Sequence, residues 1–355
     1  MQQEPLVLPS GVVVRGSTGG RYVIEGLLGK GEIGAVYLVR DRHIEGKMFA
    51  LKEVINPDKH DRERFIFEGG VLKRLSHRAL PRVYRIFENA KLKRVYILMD
   101  YIKGRNLEVL RQEQPQGRFP LSLVVPLMSP IVDALIYLHT QNPPIIHRDV
   151  KPANVIVPVG ADEAMLVDFG SAKEYIPTGT ATVASRRTPG YAAPEQYGSG
   201  TNPGTDIYGL SATLYTLLTG TVPVNAVSRL SKIWDNGSDP LKPAKLLNPG
   251  IPEPVAQALQ RGMSMNSADR FEKVEDLWQI MTAYAEPQPQ KEQVLSLPIT
   301  EVPVQDIEYN EPVCPETPSD TPHFVRRELF ILMLIVLLII ATLMLGFAFH
   351  IVSMK

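Results

Sequence analysis

Apolar and polar residues alternate through five short runs in the first hundred positions, 21–28, 35–40, 48–54, 83–87 and 94–100. A period of two, punctuated by glycine, predicts strands. One stretch breaks the alternation. Residues 61–75 place Phe65, Val71, Leu72 and Leu75 at helical spacing, which predicts a single helix among the strands. Past residue 120 the period lengthens, and 121–139, 205–218 and 253–261 read as helices. A β-rich piece followed by a mainly helical piece predicts an α+β chain of two lobes with a cleft between them.

The pattern fails after residue 285. Within the stretch 286–328, residues 286–325 carry prolines at 287, 289, 298, 303, 312, 315, 318 and 322 and acids at 286, 292, 301, 306, 308, 311, 316 and 320. So much proline and charge predicts an extended linker rather than a packed element. Residues 330–349 then run without a single charge. Twenty residues at ~1.5 Å each span ~30 Å, the depth of a bilayer core, which predicts a membrane helix over 329–350. Arg326 and Arg327 on its N-terminal flank place the preceding chain in the cytoplasm by the positive-inside rule, against a weaker opposing signal from Lys355. The expected layout is a 1–20 extension, a folded domain over 21–285, the linker, the membrane helix and a 351–355 tail. That makes a single-pass protein of the cell membrane with its folded part cytoplasmic, a lipid bilayer as one partner, and no outer sensor domain.

Composition changes this picture little. Lys+Arg and Asp+Glu are both 38, so the formal net charge is zero and no basic stripe argues for nucleic acid. The single cysteine, Cys314, excludes an internal disulfide or a Cys-based zinc site and fits a reducing compartment. No apolar run behind a basic start suggests a cleaved signal.

The chemistry lies in ordered motifs. Leu28 leads into Gly29-Lys30-Gly31-Glu32-Ile33-Gly34, a G-x-G-x-x-G run shared with dinucleotide-binding folds. Here it is followed by a strand-like segment containing Val36, which favours a hairpin over phosphates. Lys52 ends the apolar run containing Ala50, where an amine can hold α- and β-phosphates. Glu68 in the following helix is its candidate carboxylate partner. In His147-Arg148-Asp149-Val150-Lys151-Pro152-Ala153-Asn154, Asp149 can accept a substrate hydroxyl proton, Lys151 can neutralise the γ-phosphate and Asn154 can bind magnesium. Asp168, before Phe169 and Gly170, adds a hard carboxylate suited to Mg2+, with Mn2+ as the alternative ion.

With these motifs in this order, 21–285 resembles a Hanks-type Ser/Thr protein kinase, most similar to the bacterial membrane-attached members. The run from Thr188 through Pro194, Glu195, Gln196 and Tyr197 carries that closer likeness. The resemblance implies the bilobal protein kinase fold, ATP as cosubstrate, and protein serine or threonine hydroxyls as acceptors. It implies a hinge of Asp100, Tyr101 and Ile102 receiving adenine, Met99 as gatekeeper, and Val36, Ala50 and Ile156 around the ring. It further implies a Glu195–Arg270 pair, Asp206 holding the catalytic-loop backbone, and a stacked column of Leu72, Val83, His147 and Phe169. The choice of Ser/Thr over Tyr follows from Lys151 and Thr188.

The segment 170–193 offers Thr178, Thr180, Thr182 and Ser185 for autophosphorylation, with self-association as the route in trans. Gly69-Gly70 directly after Glu68 should soften that helix by about 1 kcal/mol each, so replacing both by alanine is expected to raise basal activity. The competing readings are a membrane-tethered pseudokinase-like scaffold and a small-molecule kinase. The first would lack one of Lys52, Asp149, Asn154 or Asp168, and the second would lack the Ala-Pro-Glu ending at Glu195.

Overall fold

A computed structural model describes residues 7–16, 19–31, 34–42, 46–55, 57, 59–89, 92–160, 163–169, 172–174, 188–198 and 200–285. The small lobe is one antiparallel sheet of β1 (Val13–Arg15), β2 (Arg21–Gly31), β3 (Gly34–Asp41), β4 (Met48–Ile55), β5 (Val83–Asn89) and β6 (Arg94–Asp100), in the order β1-β2-β3-β4-β6-β5. The five strands expected from alternation are all present. The helix is also present, as α1 (Lys59–Arg74) between β4 and β5. The sheet reaches further toward the N-terminus than expected, because β1 pairs with β2 and buries Val14 within the stretch read as an extension.

Alternation along β4 divides the lobe's two faces. Phe49, Leu51 and Glu53 point to a cluster with Tyr22, Tyr37, Phe87 and Tyr96, which Val7, Leu8 and Val12 cover. Within it the enclosed Glu53 carboxylate accepts from Arg94 Nη1 at 2.7 Å and Tyr37 Oη at 2.9 Å. The Leu8 N–H donates to the same Tyr37 hydroxyl at 3.0 Å. Burial pushes that hydroxyl up to about 12, so it remains a donor. Ala50 and Lys52 take the other face, toward the cleft.

The large lobe contains β7 (Gly104–Asn106), α2 (Leu107–Gln112), α3 (Leu121–His139), β8 (Ile145–Ile146), β9 (Val155–Pro158), β10 (Met165–Leu166) and β11 (Lys173–Glu174). Its remaining helices are α4 (Pro203–Thr219), α5 (Ala226–Asn236), α6 (Ala244–Leu247), α7 (Glu253–Gly262) and α8 (Val274–Ala283). Among the described residues α3 alone is long and apolar enough to cross a membrane. It serves instead as a core helix, packed against α4 and α8 with Met128, Ile131, Val132 and Leu135 buried. The expected membrane helix and linker lie outside the described residues.

Candidate active site

The ambiguous glycine run resolves first. β2 and β3 form an antiparallel hairpin in which Gly31 pairs with Gly34, so the run opens a strand and not a helix. Gly34 is required there because a Cβ would sit 1.8 Å from the Glu53 carbonyl oxygen of β4. Glu32 and Ile33 lie outside the described residues. Lys30 and Gly31 lie in the hairpin, clear of the cavity wall described next.

Between the lobes lies a cavity of about 420 Å³, within the range that holds small ligands. Leu28, Gly29, Val36 and Ala50 roof it, and Ile156 forms part of its floor. Met99, Asp100, Tyr101 and Ile102 close its back, where the chain passes from one lobe to the other. The Asp100 carboxylate is engaged within the small lobe, accepting from Tyr84 Oη at 2.7 Å and the Arg82 N–H at 3.0 Å. Pro81, Ile97, Gly104, Asn106, Ala153 and Val167 also line it, and no motif assigns them there.

Lys52 reaches the polar end of this cavity, its Nζ 3.1 Å from Asp168 Oδ1. Glu68 is carried by α1, but its side chain lies outside the described residues, so the expected Lys52–Glu68 pair does too. Gly69 corrects one expectation. A Cβ there would lie 2.8 Å from Ile86 Cδ1 and 3.1 Å from Ile97 Cδ1, so this glycine sets how closely α1 approaches the sheet. Gly70 has open space around its missing Cβ. Substituting both residues therefore mixes a clash with a gain in helix propensity, and cannot simply stiffen α1.

Asp149 is 7% exposed and both its oxygens are engaged. Thr188 Oγ1 donates to Oδ1 at 2.8 Å, while Lys151 Nζ and Asn154 Nδ2 donate to Oδ2 at 2.8 and 2.9 Å. Lys151 also donates to Thr188 Oγ1 at 2.7 Å, closing a three-membered polar ring. Two residues nearby adopt left-handed backbone that side chains disfavour: Arg148 at φ 70° and Asp168 at φ 63°.

The Arg148 conformation is fixed from both sides. Its N–H donates to Asp206 Oδ1 at 2.7 Å, and its carbonyl accepts from Gln196 Nε2 at 2.9 Å. Asp206, fully enclosed, also accepts from the His147 N–H at 2.8 Å and lies 2.9 Å from His139 Nε2. Burial alone would raise the Asp206 carboxyl, but its hydrogen bond with His139 and the surrounding donors hold it below the usual range. Burial lowers His147, whose ring packs edge-on against Phe169 at 4.7 Å. Of the implied column, His147 packs on Phe169, and Leu72, Val83 and Phe169 belong to one buried cluster. The implied pair assembles: Arg270 forks onto Glu195 at 2.7 and 2.9 Å. Gln196, which carries part of the family likeness, has a role the sequence does not assign: its side chain fixes the Arg148 carbonyl.

The protein kinase domain family matches residues 22–279. This chain belongs to that family. Serine/threonine-protein kinase PkaA of Streptomyces coelicolor is 32% identical over 271 residues, covering 71% of this chain and 48% of that protein. PknD of Mycobacterium tuberculosis is 33% identical over 270 residues, 74% of this chain and 39% of that one. Serine/threonine-protein kinase B of Synechocystis is 32% identical over 221 residues, covering 58% and 38% respectively. This chain thus spans half or less of the length of these relatives. Among solved structures, the kinase domain of M. tuberculosis PknI, as a double mutant, superposes with a TM-score of 0.62 at 26% identity, covering 79% of this chain and all of that domain.

The site suits the family's cosubstrate. Asn154 and Asp168 both line the cavity and offer hard oxygen ligands. No cluster of three or more His, Cys, Asp or Glu occurs among the described residues. Two protein ligands completed by phosphate oxygens is the arrangement Mg2+ favours.

Proposed function

We propose that this chain is a protein kinase transferring the γ-phosphate of Mg-ATP to serine or threonine hydroxyls of proteins. The carrying observation is the ring of Asp149, Lys151 and Thr188, which sets a carboxylate and an amine together beside the nucleotide-sized cavity. Adenine would lie among Val36, Ala50 and Ile156, with Lys52 at the phosphate end. Asn154 and Asp168 would hold Mg2+, which supplies charge neutralisation at the phosphates when bound. Asp149 orients the acceptor hydroxyl and takes its proton as the oxygen bonds to the γ-phosphorus. The bond to the β,γ-bridging oxygen breaks, and ADP leaves. Lys151 sits where it can offset charge on the transferred group.

The finer parts of this reading concern regulation and location. Autophosphorylation at Thr178, Thr180, Thr182 or Ser185 would supply a phosphate for Arg148. The apolar run 330–349 would tether the chain to the cell membrane, with the kinase domain in the cytoplasm. Crowding on a surface then favours encounters between copies, and phosphorylation in trans. A scaffold without catalysis is disfavoured, because Lys52, Asp149, Asn154 and Asp168 converge at one cleft.

The test is the full chain in membranes, incubated with ATP and magnesium beside Asp149→Asn, followed by phosphosite mapping. Phosphate on serine or threonine that depends on Asp149 is the expected result. Transfer unaffected by Asp149→Asn, or transfer only to tyrosine, refutes the assignment.

A further inference from the structure

A second cavity, of about 590 Å³, lies on the large lobe. It is built from the 114–122 stretch between α2 and α3, the end of α4 at Leu218, the 248–252 turn before α7, and Tyr284 just after α8. Phe119, Leu218 and Ile251 lie buried beneath it, while Pro115, Pro120 and Tyr284 along its lip are exposed, Tyr284 by 46%. The catalytic machinery does not use it. None of its lining residues belongs to the nucleotide cavity.

We propose that this groove is the docking site for the chain's own segment 286–299, which follows immediately on its rim. Continuity is the first argument. Tyr284 lines the groove and the segment begins two residues later, so docking closes almost no loop, and the local concentration of the segment is high.

Composition is the second. Pro287 and Pro289 restrict the chain at its exit, which lowers the ordering cost of lying in a groove. Val294, Leu295, Leu297 and Ile299 then supply apolar side chains that can cover the exposed Pro115, Pro120 and Tyr284. An extended chain advances at most ~3.3–3.6 Å per residue, so these positions fall within reach of the groove.

Charge is the third. Arg118 lies in the groove wall, donating to the Leu247 carbonyl at 3.4 Å. There α3 starts at Leu121, its cap Pro120 making no side-chain hydrogen bond and its first turn holding no acidic residue. Glu286 and Glu292 are the complementary groups, with Lys291 between them. Docking shortens the free tether to the part beyond residue 299 and fixes where it leaves the large lobe. This inference does not depend on phosphoryl transfer, so it can fail while the kinase reading stands, and the reverse.

The experiment uses the full chain and two readouts. Hydrogen exchange at 114–122 and 249–252 is compared between the native chain and a variant carrying Val294→Asp, Leu295→Asp and Leu297→Asp. These substitutions leave the catalytic residues untouched. Release of the segment should speed exchange at the groove by about tenfold. Separately, Gln114→p-benzoylphenylalanine, on the groove wall remote in sequence from Tyr284, is photolysed in membranes. A cross-link within one chain to 286–299 is expected. Unchanged exchange in the triple variant overturns the proposal. So does a cross-link made to a second copy, to lipid only, or to nothing.

Discussion

On the large-lobe wall of the cleft, Asp149 follows two residues, His147 and Arg148, whose N–H groups both donate to Asp206. On the small-lobe wall, Lys52 projects from a central strand, and the neighbouring α1 rests on Phe65, Val71, Leu72 and the close approach at Gly69. One wall holds its reactive group through buried charge and hydrogen bonds; the other pairs Lys52 with Asp168 at 3.1 Å but seats the adjoining helix by shape. Buried polar groups are costly to leave unpaired, so the first arrangement is specific and sensitive to protonation. Apolar packing is non-directional, so the second responds to volume. The two walls should therefore fail differently when altered.

The largest expected effect separates reactivity from support within the large-lobe wall. Asp149→Asn should reduce kcat by about 10²–10⁴-fold, the range for loss of a general base, and leave the melting temperature nearly unchanged. Asp206→Asn should lower activity as well, but through stability. Weakening charge-assisted bonds to two backbone N–H groups and His139 should cost about 1.5–3 kcal/mol each at most, read in denaturant unfolding. If Asp206→Asn unfolds at the native midpoint, the view of Asp206 as the anchor fails. Thr188→Val tests the polar ring. With its hydroxyl gone, Lys151 and Asp149 each lose a partner, and kcat should fall about tenfold, corresponding to ~1.4 kcal/mol, while Thr188→Ser retains most activity.

Protonation sharpens the contrast further. His147 is held below its ordinary 6.5 by burial, so as pH falls through 6.5 the unfolded chain takes up a proton that the folded one refuses. Stability should then decline with acidification by up to about 1.4 kcal/mol per pH unit for this one proton. His77, also lowered by burial, adds in the same direction. Asp206 acts in a separate window. Its carboxyl is held below 3.8, so its contribution is present above that value and disappears as pH falls through its folded value. Denaturant midpoints measured from pH 7.5 down to 5 should show the first slope. A flat profile would mean that the buried imidazole contributes nothing to the linkage.

The small-lobe strands and the long helices were legible because each shows one clean period, and the motif residues were legible because each is a reactive type at a fixed spacing. Asp149, Lys151, Asn154 and Asp168 meet at the cleft as their order suggested. What escaped reading has a common cause. Gln196 acts by reaching across to the Arg148 carbonyl, a contact 48 positions away in sequence that no local pattern encodes. β1 is three residues long, too short for periodicity to register, and is defined by its pairing with β2. Asp100 stands where the chain passes between the lobes, and the engagement of its carboxylate by Tyr84 depends on how β5 lies beside β6. Gly69 looked like a soft spot because propensity concerns only its own helix, whereas Ile86 and Ile97 arrive from the sheet.

That last point yields the smallest effect and the cleanest test of packing by shape. Gly70→Ala adds a methyl into open space, so only helix propensity should speak, stabilising the domain by about 0.5–1 kcal/mol. Gly69→Ala gains the same propensity but sets its methyl 2.8 Å from Ile86, where relief requires those side chains or the helix itself to shift. Overpacking of this kind costs about 1–3 kcal/mol, which outweighs the gain, so Gly69→Ala should be net destabilising. In an Ile86→Ala background the penalty of Gly69→Ala should shrink, because the Cγ1 and Cδ1 that the new methyl meets at 2.8 Å are both gone. If Gly69→Ala instead stabilises as much as Gly70→Ala, the close approach does not limit the position of α1. The small-lobe wall would then be less dependent on volume than its contacts indicate.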